Sequence, residues 1–332
     1  MSAKNVAVVG ATGAVGVEML KVLEDRKFPV KELRVMASER SAGKKITWKG
    51  REYIVEELSK ANFKGVDFAL FSAGSGRSRE FAPKAAADGA VVIDNSSCFR
   101  MDPNVPLVIP EINPQDAKKH KGIIANPNCT TIVMAVAVYP IHKAATVERL
   151  IISSYQAASG GGHSAMVELE EQVKAYAAGK PMVVKVFPHQ LAFNVFPHVG
   201  AFLDNGYTEE EMKLLNETRK IFSSKTIRVT GTTVRVPVLR AHSESILMDL
   251  SRKMTPQEAR EILSKAPGVK VVDDPKNKVY PMPIDASGKY DVLVGRIRED
   301  LSNPKGLMMW VSGDQLLKGA ALNAVQIAEL FI

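Results

Sequence analysis

A glycine-rich loop between a strand pattern and a helix pattern opens the chain. Residues 6–9 are apolar and rich in valine, which is typical of a buried strand. The loop Gly10-Ala11-Thr12-Gly13-Ala14-Val15-Gly16 follows, and residues 17–23 then have helical spacing. A strand, a glycine turn and a helix in this order form the context of a dinucleotide-binding fingerprint. The spacing GxxGxxG is a variant of the commoner GxGxxG, so the context carries more weight than the motif.

Each glycine of this loop occupies a position where a side chain would interfere with nucleotide binding or with packing. Gly10 allows a tight turn, Gly13 allows the backbone to approach a pyrophosphate, and Gly16 allows the helix to pack closely on the strand. A glycine-rich turn without a ligand is the alternative. The dinucleotide hypothesis names as cofactor contacts Gly10, Thr12, Gly13, Ala14 and Val15.

The residues after the second predicted strand, residues 33–37, bear on the choice of cofactor. A site that prefers NAD usually places an acid here for the ribose hydroxyls. Ser38, Arg40 and Ser41 instead suit a 2′-phosphate, which favours NADP. Glu39 is discordant with this interpretation, so the balance between NADP and NAD stays open.

Strand and helix patterns then predict two domains. Further strands at residues 66–72 and 90–94, with a helix at 78–88, favour an α/β fold with a parallel, doubly wound Rossmann-type sheet in residues 1–128. The next part favours an α+β domain on a mixed or antiparallel sheet, residues 129–313. Its predicted strands are 149–156, 226–230, 232–237 and 244–250, and its predicted helix is 164–178. A terminal helix, residues 314–332, is expected to complete the first domain.

The run Asn126-Pro127-Asn128-Cys129-Thr130-Thr131 holds one of the two cysteines, and an apolar run, residues 132–138, follows it at once. Cys129 therefore lies where a helix should begin. A thiol in the first turn faces unpaired N–H groups and the positive end of the helix dipole, and both favour the nucleophilic thiolate. A buried structural cysteine is the alternative.

A hydride cofactor and a thiolate together suggest aldehyde oxidation or its reverse, through a thiohemiacetal and a thioester. Water or phosphate would then accept the acyl group. Such a reaction needs an acid/base group near neutral pKa. His242, seven residues after Arg235, is one candidate, but its position alone does not single it out from the six histidines.

Composition narrows the function classes. The net charge of +8 comes from scattered Lys and Arg with no stripe interleaved with aromatics, so nucleic-acid binding has weak support. A positive field suits anionic small molecules. Two cysteines cannot make a disulfide framework, and no window reaches about 18 apolar residues, so we expect a cytoplasmic protein. We assign no metal ligands.

Several motifs in order resemble the aspartate-semialdehyde dehydrogenase family along nearly the whole chain. They are the residue 10–16 loop, Ser96-Ser97-Cys98-Phe99-Arg100, the residue 126–131 run, Tyr155-Gln156-Ala157-Ala158-Ser159-Gly160, residues 235–242 and residues 313–321. The resemblance implies that Cys129 is the nucleophile, His242 the acid/base and Gln156 the residue that orients the substrate. It implies further cofactor contacts at Ser159, Gly160 and Gln315.

The resemblance also implies anchors for the substrate. Arg235 would clamp the α-carboxylate, where bidentate geometry favours arginine. Arg100 and Lys213 would hold phosphate, and Asn128 would contact phosphate or an oxyanion. Glu210 would meet the substrate amine, but Glu209, Glu210 and Glu211 are consecutive, and the choice rests only on the spacing to Lys213.

The implied reaction is the NADP-dependent, reversible reductive dephosphorylation of L-4-aspartyl phosphate to L-aspartate 4-semialdehyde. It would supply lysine, methionine and threonine synthesis, and the resemblance implies a homodimer. An N-acetyl-glutamyl-phosphate reductase is the enzymatic alternative, and a free-amine contact such as Glu210 favours the aspartyl substrate. A catalytically silent NADP-binding regulator is the second alternative. Against it, Cys129, Gln156, Arg235 and His242 are all present.

Overall fold

The computed structural model describes residues 2–332, and these form two compact units. One unit comprises the described residues up to Asn128 together with Gly319–Ile332, and the other comprises Cys129–Lys318. Within the described range, no helix is long and apolar enough to cross a membrane. The helices are α1 (Ala14–Asp25), α2 (Ser75–Ala87), α3 (Cys129–Ala145), α4 (His163–Ala177), α5 (Glu209–Ile221), α6 (Pro256–Leu263), α7 (Pro283–Ala286) and α8 (Leu322–Glu329).

The strands complete this description. They are β1 (Lys4–Val9), β2 (Val30–Ala37), β3 (Lys45–Trp48), β4 (Arg51–Ile54), β5 (Glu56–Glu57), β6 (Phe68–Phe71), β7 (Val91–Asp94), β8 (Ile123–Ala125), β9 (Val147–Gln156), β10 (Arg228–Arg235), β11 (His242–Leu250), β12 (Val269–Val271), β13 (Val292–Glu299) and β14 (Gly306–Gly313).

The first unit is built on a six-stranded sheet in the order β5-β2-β1-β6-β7-β8, with every neighbouring pair parallel. All four residues of β6 are buried, as are the last four of β1. Continuous apolar burial is typical of a parallel strand covered on both faces. The predicted Rossmann-type sheet is confirmed.

The glycine loop between β1 and α1 is closely packed. Gly10 has φ +89°, and a Cβ there would lie 2.2 Å from the carbonyl oxygen of Ser72. A Cβ on Gly16 would lie 2.2 Å from the carbonyl oxygen of Gly10, across the helix–strand contact. Glycine is therefore required at both positions, for the reasons that the sequence indicates.

Replacing Gly16 with alanine is expected to destabilise the protein by about 2–3 kcal/mol, because the methyl group would overlap main-chain atoms that cannot turn aside. Gly76→Ala is the matched control. Gly76 lies in α2 with open space around its Cβ position, so alanine there should be neutral or stabilising by about 0.5–1 kcal/mol. Denaturant unfolding of both variants measures the difference. Equal stabilities would contradict the close helix–strand packing.

The second unit contains a mixed sheet in the order β10-β9-β11-β14-β13-β12. β9 and β10 are parallel, whereas β11 is antiparallel to both β9 and β14. The nine residues of α3 that follow Cys129 are all buried, as a helix in the core requires. The predicted mixed sheet is confirmed, and its strand ends position most of the candidate site.

Three local predictions are wrong. The two strands predicted at residues 226–230 and 232–237 are one strand, β10. Gly231 does not break the strand. It is glycine because a Cβ at this position would lie 2.6 Å from the carbonyl oxygen of Ile152 on the neighbouring strand. The helix predicted from residue 314 is shorter, because β14 ends at Gly313 and Asp314 Oδ1 caps the next turn by accepting from Leu316 N–H. A π-helical turn then leads into α8.

The third correction concerns His242, which lies between the strands predicted at residues 232–237 and 244–250 but is part of a strand in the structure. It is the first residue of β11, after a loop from β10 in which Ala241 has φ +74°. The helices and strands that the sequence analysis left out are the β3–β4 hairpin, α5, α6, α7 and strands β5, β8, β12, β13 and β14.

Candidate active site

Cys129 is the first residue of α3, as predicted. Its Sγ lies 3.7 Å from Nε2 of His242, 113 residues later in the chain. Two elements create this contact: α3 presents its first turn, and β11 presents its first residue. The structure therefore places His242, one of the six histidines, beside the thiol.

A main-chain hydrogen bond determines which nitrogen of His242 carries the proton. The N–H of Ala157 donates to Nδ1 at 3.1 Å. Because Nδ1 accepts, the neutral imidazole holds its proton on Nε2, the atom that faces Cys129. Burial, and secondarily the charge of Arg235, lower the pKa of His242 well below its usual range. At neutral pH the ring is thus a neutral hydrogen-bond donor directed at the sulfur.

Arg235 ends β10 and is buried beside this pair. Its Nη1 donates to the Ala157 carbonyl at 2.6 Å, and Nε has no hydrogen-bond partner among the described residues. Burial lowers the pKa of Arg235, while the charges of Cys129 and Glu210 act in the opposite direction. A guanidinium so placed has unused N–H capacity for a carboxylate.

Gln156 ends β9 and connects the first turn of α3 to α5. Its Nε2 donates to Oγ1 of Thr130 at 2.8 Å and lies 3.5 Å from Oε1 of Glu210. Glu210 Oε2 pairs with Lys213 Nζ at 3.0 Å. These three predicted residues are therefore brought together, and Glu210 is buried.

The structure separates the three consecutive glutamates at the start of α5. Glu211 forms a capping box with Thr208 and also accepts from the Thr233 N–H at 3.0 Å. Glu209 is exposed. Glu210 is the member that reaches Gln156 and Lys213.

Ser159, Gly160 and Gln315 lie around His242 and the loop that precedes it. A Cβ on Gly160 would lie 2.9 Å from Nη1 of Arg235 and 3.1 Å from Cε1 of His242. Gln315 accepts from the Ala241 N–H at 2.9 Å and donates to the Ser159 hydroxyl. The hydrogen bond to Ala241 holds the residue before His242 in its left-handed conformation.

The predicted cofactor residues at the start of the chain lie together in the first unit. Thr12 Oγ1 donates to Ser41 Oγ at 3.3 Å, which joins the glycine loop to the loop after β2. Arg40 is exposed and Ser38 is half-buried. Gly13 is the N-cap of α1 and provides no side-chain cap, so the first N–H groups of the helix suit a pyrophosphate. The residues present fit a dinucleotide.

Arg100 and Asn126 belong to a buried polar network of the first unit. Arg100 Nε donates to the Asn126 carbonyl and Nη2 to the Asn95 carbonyl, both at 2.9 Å. The Asn126 side chain donates to Asn95 Oδ1 at 2.6 Å and accepts from Asn323 of α8 at 2.6 Å. Asn128, two residues later, is buried.

Glu244 lies two residues after His242 on the same strand face, fully buried, and neither carboxyl oxygen has a hydrogen-bond partner among the described residues. Burial raises the pKa of Glu244 well above its usual value. Between its unfolded pKa and its higher folded pKa, only the unfolded chain ionises. Rising pH over this interval therefore costs about 1.4 kcal/mol of stability per pH unit.

Glu244→Gln is expected to remove this cost. The variant should gain stability over the parent as the pH rises from 5 to 8, and the difference should shrink toward pH 4. Thermal unfolding across this range measures it. Glu209→Gln, at an exposed position, is the control and should follow the parent. A stability difference independent of pH would show that Glu244 is ionised in the folded protein.

Two participants were missed by the sequence analysis. Thr130 accepts from Gln156, and the Ala157 backbone sets the tautomer of His242. The hydroxyl next to Cys129 at a helix start was a signal available for Thr130. Ala157 acts through its main-chain N–H, which every residue except proline has, so the residue type gave no signal for this role.

Comparisons with known proteins agree with this architecture. The family model "Semialdehyde dehydrogenase, NAD binding domain" matches residues 5–120, and "Semialdehyde dehydrogenase, dimerisation domain" matches residues 138–318. A crystal structure of aspartate semialdehyde dehydrogenase II from Vibrio cholerae, complexed with ASA, has a TM-score of 0.97 and 44% identity. The match covers 100% of this chain and 98% of that one.

Sequence relatives agree as well. The aspartate-semialdehyde dehydrogenase of Aquifex aeolicus is 57% identical over 331 residues, which cover 98% of this chain and 97% of that protein. The enzyme of the same name from Synechocystis is 51% identical over 327 residues, with 98% and 97% covered. With matching models over both units and relatives of this identity over nearly its full length, the chain belongs to the aspartate-semialdehyde dehydrogenase family.

Proposed function

We propose that the chain catalyses the NADP-dependent, reversible reductive dephosphorylation of L-4-aspartyl phosphate to L-aspartate 4-semialdehyde through a thioester on Cys129. The observation that carries this proposal is the contact of 3.7 Å between Cys129 Sγ and His242 Nε2, beside the buried Arg235. A nucleophile, a directed N–H donor and a cation for a carboxylate are thus held in one unit.

Cys129 carries the covalent step. Its thiolate attacks the acyl carbon of aspartyl phosphate, the C–O bond to phosphate breaks, and a thioester forms. NADPH held by the glycine loop and the loop after β2 would supply a hydride to the thioester carbon. The C–S bond then breaks, the aldehyde leaves, and Cys129 returns as a thiolate.

His242 stabilises negative charge at two points of this sequence. Its Nε2–H is directed at the sulfur, so it donates to the thiolate before attack and after release. The same N–H is available to the oxygen that becomes negative when the acyl carbon is tetrahedral. Because Nδ1 already accepts from Ala157, the neutral ring acts by donating a hydrogen bond. Transfer of the thiol proton to Nε2 would need the other tautomer.

The substrate ends have separate anchors. Arg235 binds the α-carboxylate, and Glu210 binds the amine. Glu210 suits a cationic amine because it is a buried carboxylate that already pairs with the cation of Lys213. Gln156 orients the substrate between them. Arg100, Asn128 and Lys213 are the proposed phosphate contacts. Cationic side chains at both anchors match a substrate with two anionic ends.

The cofactor contacts are the glycine loop and the loop after β2. Ser38, Arg40 and Ser41 favour the 2′-phosphate of NADP, and Ser159, Gly160 and Gln315 are further proposed cofactor contacts. We further propose a cytoplasmic homodimer that supplies lysine, methionine and threonine synthesis. The family description of residues 138–318 as a dimerisation domain supports the homodimer.

The test is semialdehyde oxidation by the purified protein, followed as cofactor reduction at saturating L-aspartate 4-semialdehyde. We expect a rate that depends on phosphate and is higher with NADP⁺ than with NAD⁺. Mass spectrometry of the protein quenched in acid without phosphate should find an aspartyl adduct on the Cys129 peptide.

The alternatives give different results in the same assay. A higher rate with N-acetyl-glutamate semialdehyde than with L-aspartate 4-semialdehyde would indicate an N-acetyl-glutamyl-phosphate reductase. No turnover of either aldehyde, with retained NADP binding, would indicate a silent regulator. A rate independent of phosphate would exclude the acyl-phosphate product.

A further inference from the structure

Phe187 lies over the guanidinium group of Arg235, with 5.5 Å between the guanidinium carbon and the ring centroid. It belongs to the segment between α4 and α5, residues 178–208, in which sequence patterns predicted no role. The ring also packs near Gly161 and against Phe196. It is thus an aromatic side chain placed on the cation that the proposed function assigns to the substrate carboxylate.

A buried carboxylate on α4 fixes the main chain that carries this ring. Glu168 accepts from the N–H groups of Lys185 at 2.7 Å, Val186 at 2.5 Å and Phe187 at 3.4 Å. Three donors on one carboxylate hold the segment in a single conformation. Phe187 is therefore positioned by the fold and not by chance contact.

The rest of the segment is fixed in the same manner. Gln172, also on α4, accepts from the N–H groups of Leu191 and Ala192 and donates to the Val183 carbonyl. Phe196 then forms a two-way main-chain bridge with Arg235, with N···O distances of 2.9 and 3.2 Å. The segment thus holds the main chain of Arg235 through Phe196 and its side chain through Phe187.

We propose that Phe187 is a positioning residue that sets recognition of the substrate carboxylate through Arg235, an inference that rests on the proposed function. An aromatic ring attracts a guanidinium over its face. The N–H groups point from the edge of the guanidinium, so a ring on the face leaves the edge for a carboxylate. It also fixes the plane in which a bidentate contact must form.

The experiment compares substrates with and without the α-carboxylate. Phe187→Leu keeps an apolar side chain in the cluster but removes the aromatic face. We expect the KM for L-aspartate 4-semialdehyde to rise about tenfold, with kcat within about twofold. The rate with 3-aminopropanal, which lacks the carboxylate, should not change, so the preference for the carboxylate falls about tenfold. Phe187→Tyr should restore the parent KM.

Phe193→Leu is the matched control, because Phe193 lies in the same segment but is 65% exposed and packs on Tyr176. It should keep the parent KM. An unchanged KM in Phe187→Leu, an equal rise in Phe193→Leu, or an equal loss with both substrates would overturn the role of Phe187. Absence of semialdehyde turnover by the parent protein would instead defeat the proposed function, so the two failures are distinguishable.

Discussion

Cys129→Ala is expected to lower phosphate-dependent NADP⁺ reduction by at least about 10⁴-fold, because no other group in the proposed mechanism can form the thioester. Binding of NADP should persist, since the glycine loop lies in the other unit. The measurement is the initial rate with L-aspartate 4-semialdehyde and phosphate, together with a fluorescence titration of NADPH. A small loss of rate with intact folding would remove Cys129 from the mechanism.

Cys98 provides the matched control for this substitution. It is the other cysteine of the chain, is partly buried, and forms no disulfide. Cys98→Ala should retain at least about half of the parent rate, because surface or half-buried substitutions of this size are usually mild. Iodoacetamide should label Cys129 much faster than Cys98 near neutral pH, since the helix start and the His242 N–H both favour a thiolate. Equal labelling rates would contradict an activated thiol.

His242→Ala is expected to lower kcat by about 10²–10³-fold, because it removes one preorganised hydrogen-bond donor. His242→Gln keeps an amide N–H donor at about the reach of Nε2 and should recover part of this loss. A ring that acts as a neutral donor predicts this recovery, whereas a ring that must accept the thiol proton predicts that glutamine is no better than alanine.

The pH profile provides a second measurement on His242. Its lowered pKa keeps the ring neutral through the range near pH 6.5 in which an ordinary histidine becomes charged. The rate of the parent should therefore show no histidine titration between pH 6 and 7, and any loss from ring protonation should occur at lower pH. A fall in rate with a midpoint near pH 6.5 would show that the pKa of His242 is not lowered, and it would contradict the role of a neutral donor.

Much of the fold was predictable because local signals and tertiary structure agree. The strand, glycine loop and helix at the start of the chain required close main-chain approaches at Gly10 and Gly16, and the structure contains both. The start of α3 at Cys129 followed from the apolar run behind it. The single strand β10 was not predictable in this way, since Gly231 resembles a break but is required by the approach of β9.

The sequence predicted which residue types form the candidate site, but not which of these side chains contact each other. The pairing of Glu211 with Thr208 had a sequence signal, the spacing T-x-x-E of a capping box, which would have left Glu210 for the site. The contact between Cys129 and His242 joins residues far apart in the chain, so periodicity and local propensity do not encode it. The segment that carries Phe187 has no regular period, and its conformation depends on acceptors on α4.

The first unit is discontinuous in the chain, because α8 packs on α1, β6 and β7 while its residues follow the whole of the second unit. During synthesis, residues up to Asn128 leave the ribosome before the second unit, but Leu322, Val325 and Ile327, which are buried in the first unit, leave after it. Asn126 likewise gains its Asn323 partner only then. The nascent nucleotide-binding unit therefore presents an open apolar face while the second unit is made, and it completes its core only after the second unit has emerged.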